Sequence, residues 1–414
     1  MRIIADFHIH SRYSRASSGR MVLEEIERSA QKKGLNLVGT GDFTHPAWFS
    51  ELKRLRREGD FYTLTGRCLF VPTAEVSLVY EKEGKPRKIH IVLIAPDLEA
   101  AEQVSSELSG YGDLSSDGRP TLSLTSPELV DICLSVSPDI LVIPAHAWTP
   151  WFSVFGSRSG FDSLKECFED RTGKIHAIET GLSSDPEMNW RVSELDRVAL
   201  ISNSDSHSPN LWRLGREANV FELREPNYRE LVRTIKTRDP RRFLFTVEVD
   251  PAYGKYHLDG HRKCGVRMEP EEAEKFGNRC PVCGKRLTLG VLHRVEELAD
   301  RPPGFVPEGA IPFRRMLPLY ELVSVALGVN RLYSGRVERV QNELIRRFGS
   351  EFSVLLDADP REVERAAGPE VAEFIVLNRE GRIPVSPGFD GVYGEIASGE
   401  AENFRNPQKR ITDY

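Results

Sequence analysis

Histidines and carboxylates stand where the apolar segments of this chain end. The first apolar run, RIIADFHIH, closes on Asp6-Phe7-His8-Ile9-His10. Asp42 and His45 follow in GTGDFTH, Glu75 in PTAEVS, His90 in KIHIVLIA and His146 in IPAHAW, and SNSDSH supplies Asp205 and His207. Side chains two apart on a strand share a face, so His8 and His10 can grip one ion, as can Asp205 and His207. Imidazole and carboxylate suit zinc, manganese and iron. Ligands at the C-terminal ends of strands, scattered from His8 to His207, are how α/β barrels place their sites.

The alternation of elements supports that arrangement. NLVGTGDF, DILVIPAHA, KIHAIETG and VALISNSDSH read as strands, and CLFVPTAEVSLVYE with RKIHIVLIAP as a strand pair around EKEGKPR. MVLEEIERSAQKKG reads as an amphipathic helix stopping at Gly34, and PELVDICLSVSP as another. About seven strands fit a distorted barrel better than an open sheet, where ligands would gather at one switch point. With 414 residues the chain calls for two or three domains. The β/α pattern runs through residues 1–245, and residues 246–300 turn to Cys, Gly and turn residues. Pro/Gly-rich RPPGFVPEGAIP opens a helical region over residues 301–400, and residues 401–414 read as a flexible tail.

No apolar stretch reaches the roughly 18 residues of a membrane span, and the strand pattern begins too early for a signal peptide, so a cytoplasmic protein is expected. The net charge of -6 does not advertise nucleic-acid binding, yet residues 251–350 hold 17 Lys+Arg against 12 Asp+Glu. A basic segment beside an acidic half is compatible with a DNA-binding module on a metalloenzyme, and equally with a solvated surface.

Of the six cysteines, Cys68, Cys133 and Cys167 sit singly in apolar patterns and read as buried thiols. His261-x-x-Cys264 and Cys280-x-x-Cys283 form two knuckle-type half-sites for a structural zinc. His261 has the spacing of the fourth ligand, and His293 competes for that place. A segment this short has little core, so the ion would supply folding energy. Arg262, Lys263, Arg267, Lys285 and Arg286 offer a DNA grip on the same module.

The succession D-x-H-x-H, GD-x-x-H, AE, IHI, AH and SDSH resembles the PHP (polymerase and histidinol phosphatase) superfamily over roughly residues 1–240. The resemblance implies a seven-stranded β/α barrel with two or three divalent metals (zinc, magnesium or manganese) at the strand C-termini. His8, His10, Glu75, His90, His146, Asp205 and His207 would be ligands, with Glu75 bridging two ions. Two stations depart from the pattern. Arg15 stands where an acid or histidine is usual, and the second motif is G-D-F with His45 further on, so Asp42 and His45 are both candidate ligands. Arg15 would clamp a substrate phosphate or make a surface salt bridge. Glu179 would support a ligand or bind a third metal, and His176 reads as a core histidine. Metal-activated water attacking a phosphate ester is the chemistry implied, with Asp205, Glu75 and Arg15 as its catalytic residues.

The zinc half-sites, GTGDFTHP, HLDGHRKCGV, CPVCGK, TLGVLHRVEELADR and the helical region together resemble the endonuclease Q family. That resemblance implies a DNA repair enzyme that nicks 5′ of deaminated bases (hypoxanthine, uracil, xanthine) and of abasic sites. A deaminated base pairs weakly and flips out at lower cost. Trp48, Phe49, Trp148, Trp151 and Phe152 are aromatic candidates for stacking on bases, or for closing the barrel mouth as packing. The final Gln408 to Tyr414 stretch resembles a sliding-clamp binding peptide, with an unremarkable chain end as the alternative. A phosphatase or exonuclease on small phosphate esters or DNA ends remains the other enzymatic reading. A non-catalytic DNA-binding module is the third.

Overall fold

The computed structural model describes residues 1–329 and 333–396. Its fold is mixed α/β, as the alternating pattern predicts. The N-terminal strand Arg2–Asp6 lies parallel to Leu37–Gly39, which lies parallel to Leu69–Val71. Between the first two runs the helix Leu23–Lys33, ended by Gly34 at φ +94°. Glycine adopts that left-handed geometry without a Cβ penalty, and so stops the helix.

Thr73–Lys82 and Lys85–Ile94 form a ten-residue antiparallel hairpin. Its two-residue turn places Glu83 and Gly84 both at positive φ, the turn whose twist matches that of the strands. Glu75 faces Val92 across the ladder and Ser77 faces His90. Glu75 and His90 are therefore diagonal neighbours on one face. Leu141–Pro144 pairs with the far edge of the hairpin, and Ala177–Glu179 pairs with Ala199–Ile201.

Hydrogen bonding divides these strands into separate ladders of eight, four and two, so the expected count of seven matches no single sheet. A few backbone bonds join the ladders. Ala95 N–H donates to Pro72 O, Ala147 N–H to Glu179 O, and His10 N–H to Ser206 O. Alternate residues from all three ladders, among them Ala5, Leu37, Val71, Ile94, Ile143 and Ile201, meet in one buried apolar cluster. Burial of that cluster, at roughly 25 cal/mol per Å², is the main force holding the ladders together.

The remaining chain is not strung on behind. The strand Phe243–Glu248 runs across the expected boundary at residue 245, and Phe313–Arg315 returns to pair with it. The expected linker thus delivers the chain back to the sheet. Helices follow at Leu319–Ala326, Gly335–Phe348, Pro360–Ala367 and Pro369–Arg379. The fully buried pair Lys33–Glu351 ties the first helix to this region at 2.7 Å. Residues near 390 fold back on the cysteine segment, where Asp390 accepts from Arg262 N–H. No helix among the described residues is long and apolar enough to cross a membrane.

Candidate metal centre

Strand ends and the turns after them carry the site. Asp42, His146 and Asp205 all hold left-handed backbone, at φ +49°, +31° and +46°. Non-glycine residues rarely adopt it, and such geometry persists only where the surroundings enforce it. Gly41 precedes Asp42 at φ +64°, and a Cβ there would strike Ile9 O, so glycine alone lets this turn close on the His8–His10 strand end.

Two groups of ligand atoms result, each with its members within 4.8 Å of one another. His8, His10, Glu75 and Asp205 form the first, and Glu75, His90 and His146 the second. His10 Nε2 lies 3.1 Å from Asp205 Oδ1 and 3.2 Å from Glu75 Oε2. On the other side Glu75 Oε1 lies 2.9 Å from His90 Nδ1 and 3.1 Å from His146 Nε2. Glu75 thus offers one oxygen to each group.

A layer of polar side chains orients these rings from behind. Glu179 lies 3.0 Å from His8 Nδ1 and accepts from His146 N–H and Asn203 Nδ2. Asp42 holds His10 Nδ1 at 3.0 Å and accepts from Ser11 and Ser14. Carboxylates behind imidazoles fix the tautomer that aims the other nitrogen at a metal.

The electrostatics are those of a carboxylate cluster. Against the opposing effect of burial, Glu179, Glu75 and Asp205 hold the His8 imidazole well above its ordinary range. Against the same burial, Asp42, Asp205 and Glu75 raise His10. Burial opposes ionisation of Glu75 and Asp205, but the facing cations hold both well below the usual carboxylate range. Burial lowers His90 and His207 to about 4. His8 Nε2 is buried with no hydrogen-bond partner among the described residues. An orphaned imidazole nitrogen aimed among carboxylates fits a divalent cation, whose charge would take over the balancing now done by protons.

Several sequence candidates lie elsewhere. Asp42 stands behind His10 and belongs to neither ligand group. His45 accepts Trp48 N–H as the cap of the helix Pro46–Leu52, and its Nε2 meets Ser115 O. The turn that opens this helix aims the ring at the cap and away from the cluster. Arg15 pairs with Asp117, its side chain 84% exposed, so it is a surface salt bridge. His207 lies tilted against His10 with ring centroids 4.2 Å apart, outside both groups. Trp148 is 1% exposed and donates to Asn189, which makes it core. Trp48 is likewise fully buried and Phe49 nearly so. Trp151 is 43% exposed, and Phe152 lies against His90 at 4.7 Å.

Arg119 was not anticipated. Its Nη1 donates to Glu75 Oε2 at 2.9 Å. It comes from YGDLSSDGRP, a stretch with no periodicity to mark it.

Beside the cluster opens a cavity of about 220 Å³, lined by Trp151, Ser183, Tyr253, Lys255, Tyr256 and Tyr393 among others. Thr149, on its rim, lies 3.1 Å from His146 Nδ1.

The cysteine segment gathers as its spacing predicts. Sulfur and nitrogen atoms of His261, Cys264, Cys280 and Cys283 lie within 4.8 Å of one another. Against the effect of burial, backbone N–H groups of Cys283 and Val282 bring the Cys280 thiol down to about 7. His293, the competing ligand, instead holds Asp259 at 2.6 Å. Arg262, Lys263, Lys285 and Arg286 are exposed. Arg286 joins Arg158 and Arg279 in a cleft of about 430 Å³.

The model of the MJ0043 C-terminal domain matches residues 318–382. An uncharacterized protein of Methanocaldococcus jannaschii, MJ0043, is 36% identical over 260 residues, covering 61% of this chain. The chain spans only 31% of that relative's length. YqxK of Bacillus subtilis, also uncharacterized, is 29% identical over 95% of this chain and 99% of its own length. The crystal structure of the lesion-specific endonuclease PfuEndoQ from Pyrococcus furiosus matches at a TM-score of 0.87 and 35% identity. That match covers 100% of this chain and 98% of the other. A structure of endonuclease Q with a 27-mer duplex carrying an abasic lesion at the active site matches at 0.85 and 35% identity, over 97% of each chain. With one architecture shared from end to end at this identity, the chain belongs to the endonuclease Q family.

Proposed function

We propose that this protein is a metal-dependent DNA endonuclease that nicks the strand 5′ of abasic sites and of deaminated bases, namely hypoxanthine, uracil and xanthine. The observation that carries this reading is Glu75, whose two oxygens serve two groups of ligand atoms at once. A carboxylate so placed suits two adjacent cations, the arrangement that phosphodiester hydrolysis uses. His8, His10, Glu75 and Asp205 would hold one cation, and Glu75, His90 and His146 the other. Such cations polarise the phosphate and lower the pKa of water. Zinc and manganese suit this mix of imidazole and carboxylate better than magnesium, which prefers oxygen donors. The same reading takes the joined ladders as a distorted seven-stranded barrel, and His261, Cys264, Cys280 and Cys283 as a structural zinc site.

The chain's own residues supply position. Asp42 and Glu179 hold His10 and His8 in orientation, so little reorganisation remains at the moment of reaction. The cavity beside His146 would receive the flipped nucleotide. Its tyrosines and Trp151 offer stacking faces, and Ser183 and Lys255 can donate to the carbonyl that deamination leaves. Trp151 lines this cavity and Phe152 lies against His90, so both would border a path from duplex to cavity. The cleft of Arg158, Arg279 and Arg286, with exposed Arg262, Lys263 and Lys285 nearby on the module, suits the phosphate backbone without reading sequence. The sliding-clamp peptide at the C-terminus lies outside the described residues.

A nicking assay tests the reading. Duplexes carrying one abasic site or one deoxyinosine are incubated with wild type or Asp205→Asn in Mg²⁺, Mn²⁺ or Zn²⁺. One nick 5′ of the lesion, leaving 3′-hydroxyl and 5′-phosphate and lost in the variant, is expected. Intact DNA under every metal, with brisk hydrolysis of a small phosphate ester, would replace this reading with a phosphatase.

A further inference from the structure

The guanidinium nearest the ligand cluster belongs to Arg119, and its placement is built. The segment around it is pinned from both sides. Gly118 N–H donates to Tyr13 O at 3.1 Å, and Ser77 N–H donates to Pro120 O at 2.9 Å. Asp117 accepts from the backbone of both Arg15 and Arg119. A Cβ on Gly118 would run into Ser14 Oγ and the Asp42 carboxylate, so only glycine lets the strap come this close. Directly after the strap, Thr121–Leu122 pairs with Ser77 and Leu78 on the strand that carries Glu75. Arg119 is therefore held by the same strand and the same turn that hold the ligand groups.

Its side chain is mostly buried, 26% exposed, and spends one hydrogen bond on Glu75 Oε2. Nε and Nη2 have no hydrogen-bond partner among the described residues. Glu75 Oε2 also faces His8 and His10. A cation held there would compete with Arg119 for that oxygen. The charge of the guanidinium would then need an anion at the open side of the cluster.

We propose that Arg119 contacts a non-bridging oxygen of the phosphate under attack and offsets the charge that grows on it. The inference rests on the endonuclease reading above. In the step itself, the oxygen of water bonds to phosphorus as the bond from phosphorus to the upstream 3′ oxygen breaks. One water proton ends on that 3′ oxygen, and the product phosphate keeps the other or releases it to solvent. Arg119 gains and loses no proton. Its planar fork matches two phosphate oxygens, which a lysine cannot do. Arg15, the guanidinium that the sequence suggested for this role, faces solvent and serves as the outer anchor of the strap.

The test compares wild type, Arg119→Ala and Arg119→Lys in three measurements. The first is bound metal per chain. The second is equilibrium affinity for a nicked duplex bearing a 5′-phosphate, relative to the same nick with a 5′-hydroxyl, where no turnover can occur. The third is the single-turnover nicking rate on an abasic duplex at saturating metal. Expected in Arg119→Ala are unchanged metal content, a loss of about tenfold in the preference for the 5′-phosphate, and a rate down by about 10–100-fold. Arg119→Lys should fall between the two, and methylguanidine should partly restore Arg119→Ala. An unchanged phosphate preference overturns the proposal. So does lower metal content with a wild-type rate once metal saturates, because Arg119 would then only balance Glu75. A wild type that nicks no lesion duplex sinks the endonuclease reading instead, and the nicked-duplex affinities still decide the role of Arg119.

Discussion

The two candidate metal sites of this chain are built on opposite terms. The cluster around Glu75 is buried, mixes imidazole with carboxylate, and has a second layer of Glu179, Asp42 and serines behind it. The cluster around Cys280 is sulfur-rich, and Cys283 in it is exposed. Its apolar support is small, with Met268, Ala273, Cys280 and Leu287 as its buried members. A region with a large core can hold strained turns and buried charge without help from an ion. A region with almost none must take its folding energy from the ion. A metal in the first arrangement would be left free for a substrate, and one in the second would serve to hold shape.

The contrast breaks most sharply under substitution of one ligand on each side. Glu75→Gln should reduce nicking to background while the melting transition stays cooperative and one zinc per chain remains. Cys280→Ser should do the reverse. It should release that zinc and cost the segment most of its order, a loss on the order of several kcal/mol, while the Glu75 cluster keeps its metal. Metal content per chain, thermal melting and nicking, measured on both variants, check this. Loss of both metals in either variant would mean that the two sites are one cooperative unit.

Next in size is the layer behind the ligands. Asp42→Asn keeps the shape of the side chain but weakens its hold on His10 Nδ1, and should cost about 10–100-fold in activity or metal affinity. Arg15→Ala removes a pair in which the arginine faces solvent, and should alter activity only slightly, since such pairs contribute about 0–1 kcal/mol. Titration of metal into both variants, read by nicking rate, separates them. Equal losses would place Arg15 in the site after all.

The convergence of His8 and His10 was legible from the period of two in strands, but the same period paired His207 with Asp205, and His207 falls outside both groups. H-x-H and the carboxylate of PTAEVS declare a shared face without reference to anything distant. The roles of Asp42, His45 and Arg15 were not legible, because each depends on what lies across a turn. Asp42 and His45 look alike as ligands in GDFTH. One lies behind His10, and the other caps the helix that begins at Pro46. Trp148 and Trp151 sit three apart in a loop without period, and one is core while the other is exposed. Arg119 carried no signal beyond a DGRP turn. The expected boundary at 245 falls inside a strand for a related reason. The strand Phe243–Glu248 finds its partner at Phe313–Arg315, across the whole cysteine segment, and composition does not record distant pairing.

The effect expected to be smallest on activity probes how far buried charge extends beyond the Glu75 cluster. Glu248 accepts hydrogen bonds from Thr180 and Ser202 and lies in a fully buried layer with Glu217. Burial pushes Glu248 from its ordinary 4.5 up to about 8, and burial with the charge of Glu248 raises Glu217 well above its ordinary value. Between those two values the unfolded chain has released a proton that the folded chain keeps. Stability contributed by the protonated form is therefore full below pH 4.5 and is lost as pH rises through about 8. Glutamine has no proton to release. Glu248→Gln should match wild type near pH 5 and exceed it near pH 8, by on the order of 1–3 kcal/mol, with nicking little changed. Denaturant melts of both proteins across that range read the difference directly. A constant offset at every pH would mean that Glu248 is ionised in the folded protein. The N-terminal β/α region would then tolerate buried carboxylate charge well away from any cation, and the sharp division between its site and the cysteine cluster would soften.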